Sequence, residues 1–263
     1  MEPGRTFSTP KNIMSSRFYT ADSIQNDRVG LVEEQAHHLL HVLRIKAGQE
    51  VTVFDGSGTE ATARVESLNK REVQLEILQR RAVDRELPIE LTLAVAIPKG
   101  DRQKVLVEKL VELGVTALVP ITTERSVAQP NDKALGRLRK SVIEASKQCE
   151  RNRLMQIESP RTFAELVADE RFADSRRLVC TTHAATIPIS EIAGQRSTGS
   201  TIVAIGPEGG FTASENALAA STGFQAIQLG HRILRVETAA IVAATLLGIG
   251  AETELVALRE KDD

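Results

Sequence analysis

Aromatic residues are scarce in this chain of 263 residues. It has no tryptophan, a single tyrosine (Tyr19) and an aromatic fraction of 3%. Folds that hold single-stranded nucleic acid by stacking its bases need several exposed aromatic rings. The scarcity therefore excludes a stacking platform, and any contact with nucleic acid must rely on local charge and shape.

Cysteine is scarce as well. Cys149 and Cys180 form neither a disulfide framework nor a zinc-ligand pattern, which favours a reducing, cytoplasmic location. His37 and His41 share a helix face at i and i+4, but position 38 is not the glutamate of H-E-x-x-H. Because no third ligand is evident, we expect no metal.

The chain also lacks an excess of charge and a long apolar run. Its 33 basic and 35 acidic residues give a net charge of −2, which by itself argues against a nucleic-acid binder. No stretch approaches 18 consecutive apolar residues, and the first 13 residues have no apolar signal core. We therefore expect neither a membrane span nor a secretory signal.

Two patterns divide the chain. Residues 1–15 are expected to be a disordered extension. Residues 16–84 contain apolar residues that alternate at period two between turn residues, which predicts a small β-rich domain. From 85 to 252, short apolar strands alternate with helices, which predicts an α/β domain whose parallel sheet is covered on both faces. Residues 253–263 are expected to be a polar tail.

Residues 205–212 carry the strongest local signal. A strand runs into a turn with three glycines, and Thr212 with Glu215 forms a capping box for the following helix. The glycines expose backbone without side chains next to a helix N-terminus at the carboxyl end of a strand. Open α/β sheets bind ligands at this position. The spacing fits neither a Walker loop nor G-x-G-x-x-G, and a tight turn without a ligand stays the alternative.

A second signal lies in residues 229–240, where an irregular segment joins a strand to an apolar helix. An acid in the first turn of a helix is favoured by the helix dipole, so Glu237 has a structural explanation. A cation at the same end is disfavoured. Arg235 is therefore better explained by function.

The predicted helix from Lys133 is strongly basic. Residues 133–153 contain seven Lys or Arg and two Glu, in a chain whose total charge is negative. A solvated helix face would explain the pattern, but so would a surface that contacts RNA phosphates.

Several short motifs occur in order along residues 16–250. They are Arg17-Phe18-Tyr19, residues 38–48, Lys99-Gly100-Asp101, residues 109–114, residues 123–126, residues 206–210 and residues 229–239. Together they resemble the ribosomal RNA small-subunit methyltransferase E family. Small departures are His231, Val236 and Glu150, which stand where the family often has proline, threonine and glycine.

The resemblance implies methylation of the N3 atom of one uridine in 16S (small-subunit) ribosomal RNA, with S-adenosylmethionine as cofactor. It also implies a PUA-like β-barrel that binds RNA, a SPOUT α/β domain with a deep trefoil knot, and a homodimer that acts on the RNA or the assembled small subunit. A ribose 2′-O-methyltransferase of the same superfamily and a non-catalytic RNA-binding assembly factor are the alternatives.

The resemblance and the local patterns together predict which residues form the functional sites. Arg235 and Glu237 are the catalytic candidates. The predicted cofactor-binding residues are Thr181, Gly206, Glu208, Gly210, Leu229, Gly230, Ile233, Leu234 and Thr238, with His183 as a further candidate for the same pocket. The predicted RNA-binding residues are Arg17, Arg44, Arg137, Lys140 and Arg151.

Overall fold

The chain divides after Asp84 into two compact units. The structure, a computed structural model, describes residues 16–69, 72–126, 130–182, 186–193, 195 and 199–262. The expected extension at 1–15 lies outside the described residues, as does His183. Each unit has its own sheet and its own hydrophobic core.

The first unit is built on a five-stranded mixed sheet. Its strands are β1 (Arg17–Tyr19), β2 (Arg28–Val32), β3 (Glu50–Phe54), β4 (Thr59–Leu68) and β5 (Glu72–Ala82), in the order β1-β3-β4-β5-β2. β1 pairs with β3 in parallel, and the other pairs are antiparallel. Helix α1 (Glu33–His37) runs into a π-helical turn (His38–Val42). Val51 and Val53 are buried on one face of β3, as the period-two pattern predicts.

The second unit contains an eight-stranded sheet in which every pair is parallel. Its strands are β6 (Glu90–Val95), β7 (Ala117–Thr122), β8 (Gln156–Ile157), β9 (Arg161–Thr162), β10 (Arg176–Cys180), β11 (Ile187–Pro188), β12 (Ser200–Ile205) and β13 (Gln225–Gln228). The order is β11-β13-β10-β12-β6-β7-β8, with β9 beside β7. The helices are α2 (Arg102–Glu112), α3 (Asp132–Gln148), α4 (Phe163–Val167), α5 (Ile189–Ala193), α6 (Ala213–Ser221) and α7 (Val236–Asp262).

Two apolar clusters lie on opposite faces of this sheet. Alternate residues of β6 divide between them: Leu93 joins the cluster with α2, α3, α5 and α7, and Ala94 joins the cluster with α4 and α6. Strand residues point to opposite faces in turn, so this division places helices on both sides of the sheet. The predicted α/β class with a covered parallel sheet is confirmed.

Helix α7 is longer than the sequence pattern suggests, because it continues to Asp262 through the expected polar tail. Its first part, Val236–Thr253, has a mean hydropathy of 1.3 over 18 residues and is apolar enough to cross a membrane by composition. It contains Glu237 and Glu252 and is therefore not an unbroken apolar run, so the expectation of no membrane span stays a prediction. Half of that part is buried, and α7 packs against α2, α5, β6 and β12, so its composition is that of a core helix.

Candidate active site

A cavity of about 500 Å³ lies at the carboxyl ends of β10, β12 and β13. It also takes in the start of α7. Eight of the nine predicted cofactor-binding residues line it: Thr181, Gly206, Glu208, Gly210, Leu229, Gly230, Ile233 and Leu234. The ninth, Thr238, is exposed and is not among the lining residues. The volume is in the range of sites for small organic ligands.

The loop after β12 forms one wall of the cavity. Gly210 has a φ of +66°, which favours glycine, and its N–H donates to the carbonyl of Pro207 at 2.8 Å. The predicted capping box is confirmed: the Thr212 hydroxyl accepts from the Glu215 N–H, and the Glu215 carboxylate accepts from the Thr212 N–H. The turn therefore passes directly into the N-terminus of α6.

The loop that follows β7 supports the glycine loop through two hydrogen bonds. Arg125 Nη1 donates to the carbonyl of Gly209 at 2.6 Å, and the Glu124 N–H donates to Glu215 Oε1 at 2.9 Å. Residues 123–126 are one of the motifs that carry the family resemblance, and the structure shows that they also support the glycine loop. Their contacts connect that motif directly to the glycine loop.

The opposite wall is the irregular segment from Gly230 to Leu234. Gly230 has a φ of +106°, and a Cβ there would meet no atom within 4 Å. Between described residues, no backbone–backbone hydrogen bond involves Gly230 to Leu234. Backbone N–H and C=O groups that line a cavity and lack backbone partners are suited to bind the polar edge of an adenine. The segment therefore fits S-adenosylmethionine.

Three charged side chains lie close together beside the cavity, and one of them, Glu208, lines it. Arg102 Nη1, at the start of α2, donates to Glu208 Oε1 at 2.8 Å and lies 3.6 Å from Glu237 Oε2. The hydrogen bond lowers the pKa of Glu208 and raises the pKa of Arg102. Sequence reasoning missed Arg102, because a basic residue in the first turn of an amphipathic helix carries no distinctive pattern.

The two catalytic candidates differ in exposure. Glu237 is buried, with 8% of its surface exposed, and its Oε2 has no hydrogen-bond partner among the described residues. Arg235 is exposed, and its side chain makes no hydrogen bond or ion pair with a described residue. Its guanidinium is therefore available to a substrate.

Cys180 ends β10 and lines the inner part of the cavity. Burial raises the pKa of its thiol to about 12, because the apolar surroundings disfavour the thiolate. Among the described residues, no group of three or more His, Cys, Asp or Glu side chains is placed to hold a metal ion.

Three of the predicted RNA-binding residues lie at the surface. Arg44 follows the π-helical turn and has a φ of +51°, and Arg137 and Lys140 lie on the exposed face of α3. The opposite face of α3 packs into the core through residues such as Leu138 and Val142. The basic residues therefore form an accessible surface, as the pattern predicts.

The other two predicted RNA-binding residues are buried, and the structure does not support an RNA contact for either. Arg17 has 8% of its side chain exposed, bonds Glu60 at 2.7 Å and stacks over the ring of Phe54. Arg151 has 4% exposed and bonds Glu86 at 2.6 Å. Arg151 also donates to three carbonyls at the end of α2 (Val111, Gly114 and Val115), so its donors serve the fold.

Comparison with known proteins identifies the class. Residues 85–248 match the family model described as an RNA methyltransferase domain, and residues 31–78 match an RNA methyltransferase PUA domain. The chain thus has the make-up of an RNA methyltransferase, with a PUA-like domain before an α/β methyltransferase domain. It is 35% identical over 243 residues to the ribosomal RNA small subunit methyltransferase E of Synechocystis sp., covering 92% of this chain and 80% of the relative. The chain belongs to the ribosomal RNA small subunit methyltransferase E family.

Two solved structures are similar over most of the chain. A ribosomal RNA small subunit methyltransferase E from Neisseria gonorrhoeae, bound to S-adenosyl methionine, is 34% identical with a TM-score of 0.77, covering 87% of this chain and 94% of that one. A putative methyltransferase from Legionella pneumophila, in complex with bound SAM, is 32% identical with a TM-score of 0.80, covering 89% and 96%.

Proposed function

We propose that the protein methylates the N3 atom of a specific uridine in 16S ribosomal RNA and uses S-adenosylmethionine as methyl donor. The observation that carries the proposal is the cavity between the Gly206–Gly210 loop and the Gly230–Leu234 segment, in a chain of this family. Its volume, bare glycine backbone and unbonded peptide groups suit a nucleoside cofactor.

The cofactor, when bound, supplies a methyl group on a positively charged sulfur. The residues that would hold it are those of the two cavity walls, with backbone groups of Gly230 to Leu234 for the polar edge of the base. The buried apolar residues Ile205, Ile227 and Ala239 also line the cavity, so a bound cofactor would meet apolar surface there.

The acceptor nitrogen sets the main chemical demand. N3 of uridine carries a proton and is a weak acid, so the ring must approach its anion before it attacks the methyl carbon. A cation beside a flanking carbonyl oxygen stabilises that anion, and the exposed guanidinium of Arg235 is suited to this task. Glu237 Oε2 is suited to accept the N3 proton or to orient Arg235, since it has no hydrogen-bond partner among the described residues.

RNA recognition is divided between the two units. In the first unit, Arg44 at the PUA-like surface contacts the RNA. In the second unit, the exposed cations of α3, Arg137 and Lys140, contact phosphates. The few aromatic rings favour recognition of structured RNA through charge and shape.

Three further features belong to the proposal. The first unit closes into a β-barrel, and the second threads its C-terminal segment into a trefoil knot around the cofactor cavity. The protein forms a homodimer through α7, whose Ile249 is 56% exposed and whose Ile241 and Val242 are partly exposed. It works in the cytoplasm, where its RNA substrate is made.

A single digest tests the reaction. Small-subunit RNA from a strain that lacks this methylation is incubated with the protein and S-adenosylmethionine, then digested to nucleosides for mass spectrometry. We expect N3-methyluridine. A 2′-O-methyl nucleoside would replace the proposal by ribose methylation. Absence of any methylated nucleoside, with naked RNA and with small subunits, would favour a non-catalytic assembly factor.

A further inference from the structure

Arg102 stands between two carboxylates that belong to different parts of the site. Its Nη1 atom bonds Glu208 at 2.8 Å and lies 3.6 Å from Glu237. Glu208 belongs to the glycine loop, whereas Glu237 is in the first turn of α7. The guanidinium of Arg102 therefore connects the glycine loop of the proposed cofactor site with Glu237, the proposed proton acceptor.

The two carboxylates are not equally satisfied. The Glu208 side chain is 52% exposed and already hydrogen-bonded, but the Glu237 side chain is 10% exposed and its Oε2 has no hydrogen bond to a described residue. A buried carboxylate oxygen without a hydrogen bond is costly. A shift of less than 1 Å brings Arg102 Nη1 into hydrogen-bond range of Glu237.

Among the described residues that line the cavity, Glu208 is the only acidic one. A ligand with positive charge is attracted to it and competes with Arg102 for the same carboxylate. S-adenosylmethionine carries a sulfonium charge, whereas S-adenosylhomocysteine, the product, does not. The cavity thus has a means to distinguish the methyl donor from the spent cofactor.

We propose that Arg102 is a positioning residue: a cationic ligand beside Glu208 transfers its hydrogen bond from Glu208 to Glu237, which is thereby fixed for the reaction. The inference rests on the proposed function for the identity of the ligand. Arg102 then acts through its partners and does not touch the reacting atoms. It couples occupancy by the donor to the arrangement of Glu237.

Calorimetry with both cofactor forms tests the coupling. Affinities for S-adenosylmethionine and S-adenosylhomocysteine are measured for the full-length protein and for Arg102→Gln, Arg102→Lys and Glu208→Gln. Lys109→Gln is the matched control, because Lys109 is an ion-paired cation on the same helix outside the cavity lining. None of these variants alters Arg232, which also lines the cavity, so its positive charge acts equally in every measurement.

We expect Arg102→Gln to raise the preference for the donor over the product about threefold, since the guanidinium that competes with the donor for Glu208 is lost. Glu208→Gln should lower that preference by a similar factor. Arg102→Lys should keep the wild-type ratio, as should Lys109→Gln. Adding Arg102→Gln to Glu208→Gln should have little further effect, because the two residues act as one unit. An equal change in both affinities, or none, would refute the coupling, since a merely structural role alters both ligands alike.

Kinetics tests the second half of the inference. Methylation by Arg102→Gln should show a kcat lower by about tenfold, with an unchanged KM for RNA, as is expected of coupled neighbours in a site. An altered KM with normal kcat would mean that Arg102 binds RNA phosphate instead. If the wild-type protein methylates no RNA, the proposed function fails, but the cofactor ratios still decide the role of Arg102.

Discussion

Phe211 packs its ring against Gly206, so that a Cβ on residue 206 would lie 3.1 Å from Cε2 of the ring. The ring cannot easily withdraw, because it is 1% exposed and its centroid is 4.5 Å from that of Phe163. The start of the glycine loop is thus determined by a packed aromatic pair beneath it. Gly206 is required for close approach, whereas Gly210 is required for its backbone conformation.

Gly206→Ala should therefore destabilise the protein by about 1–3 kcal/mol and weaken cofactor binding, because the added methyl group overpacks the loop. Thermal unfolding and calorimetry check the two effects. Gly136→Ala is the control, since residue 136 lies in α3 with nothing within 4 Å of a new Cβ. It should stabilise the fold by up to about 1 kcal/mol. A stable Gly206→Ala protein with normal affinity would show that the loop can shift.

Arg235→Ala should retain cofactor affinity and lose about 10²–10³ in turnover, the value of one preorganised electrostatic contact. Its side chain is exposed and makes no ion pair with a described residue, so the fold should tolerate the change. Single-turnover methylation and calorimetry measure the two quantities. Arg153→Ala, another exposed arginine, should leave both unchanged. Full methylation by Arg235→Ala would remove Arg235 from the mechanism.

Arg137→Glu should weaken RNA binding and reduce the salt dependence of the affinity by about one ion per lost phosphate contact. Cofactor affinity should not change. Lys109→Glu reverses one charge on α2 at a residue that is not among the predicted RNA contacts, and it should have little effect on RNA binding. Filter binding at several salt concentrations gives the slopes. Equal slopes for wild type and Arg137→Glu would mean that this face of α3 is merely solvated.

Arg151→Met should destabilise the second unit by about 3 kcal/mol, because it leaves Glu86 and three carbonyl oxygens without their buried donor. Denaturant unfolding measures the change. Arg153→Met, two residues further on and exposed, should be nearly neutral. A loss of RNA affinity in a fully stable Arg151→Met protein would restore the RNA-binding interpretation of Arg151.

The ionised carboxylate of Asp169 stabilises the second unit by an amount that depends on pH. Hydrogen bonds from Arg171 and Arg161 lower its pKa to about 2. The pKa of Asp169 is lower in the folded protein than in the unfolded one. This stabilisation is therefore present above about pH 4 and is lost as the pH falls toward 2. Asp169→Asn should cost about 1–2 kcal/mol at pH 7, a value that allows for solvent screening, and almost nothing at pH 2. A difference from wild type that stays constant over this range would contradict the assignment.

Much of the fold follows from patterns within single elements. Alternation at period two predicts β3 to β5, and α3 begins close to the predicted Lys133, where Asn131 caps it by accepting from the Ala134 N–H. The glycine loop and the 229–235 segment are predicted as ligand-binding because each follows a strand. Such signals depend on neighbours in sequence, which a single chain displays directly.

Contacts between distant segments could not be predicted in the same way. Arg151 and Arg137 belong to one basic stretch, yet one is buried against Glu86 and the other is exposed. The difference depends on where α3 ends and on the carbonyl groups of α2 nearby. Arg102 was missed for a similar reason, since its partners lie more than 100 residues away in the chain.

The thiol of Cys180 lines the same space that the methyl donor is proposed to enter. A thiolate is a nucleophile that a sulfonium methyl group can alkylate, whereas a protonated thiol is a poor one. The raised pKa keeps the thiol of Cys180 protonated at neutral pH. Burial of Cys180 therefore disfavours a nucleophilic thiolate in the space proposed for the methyl donor.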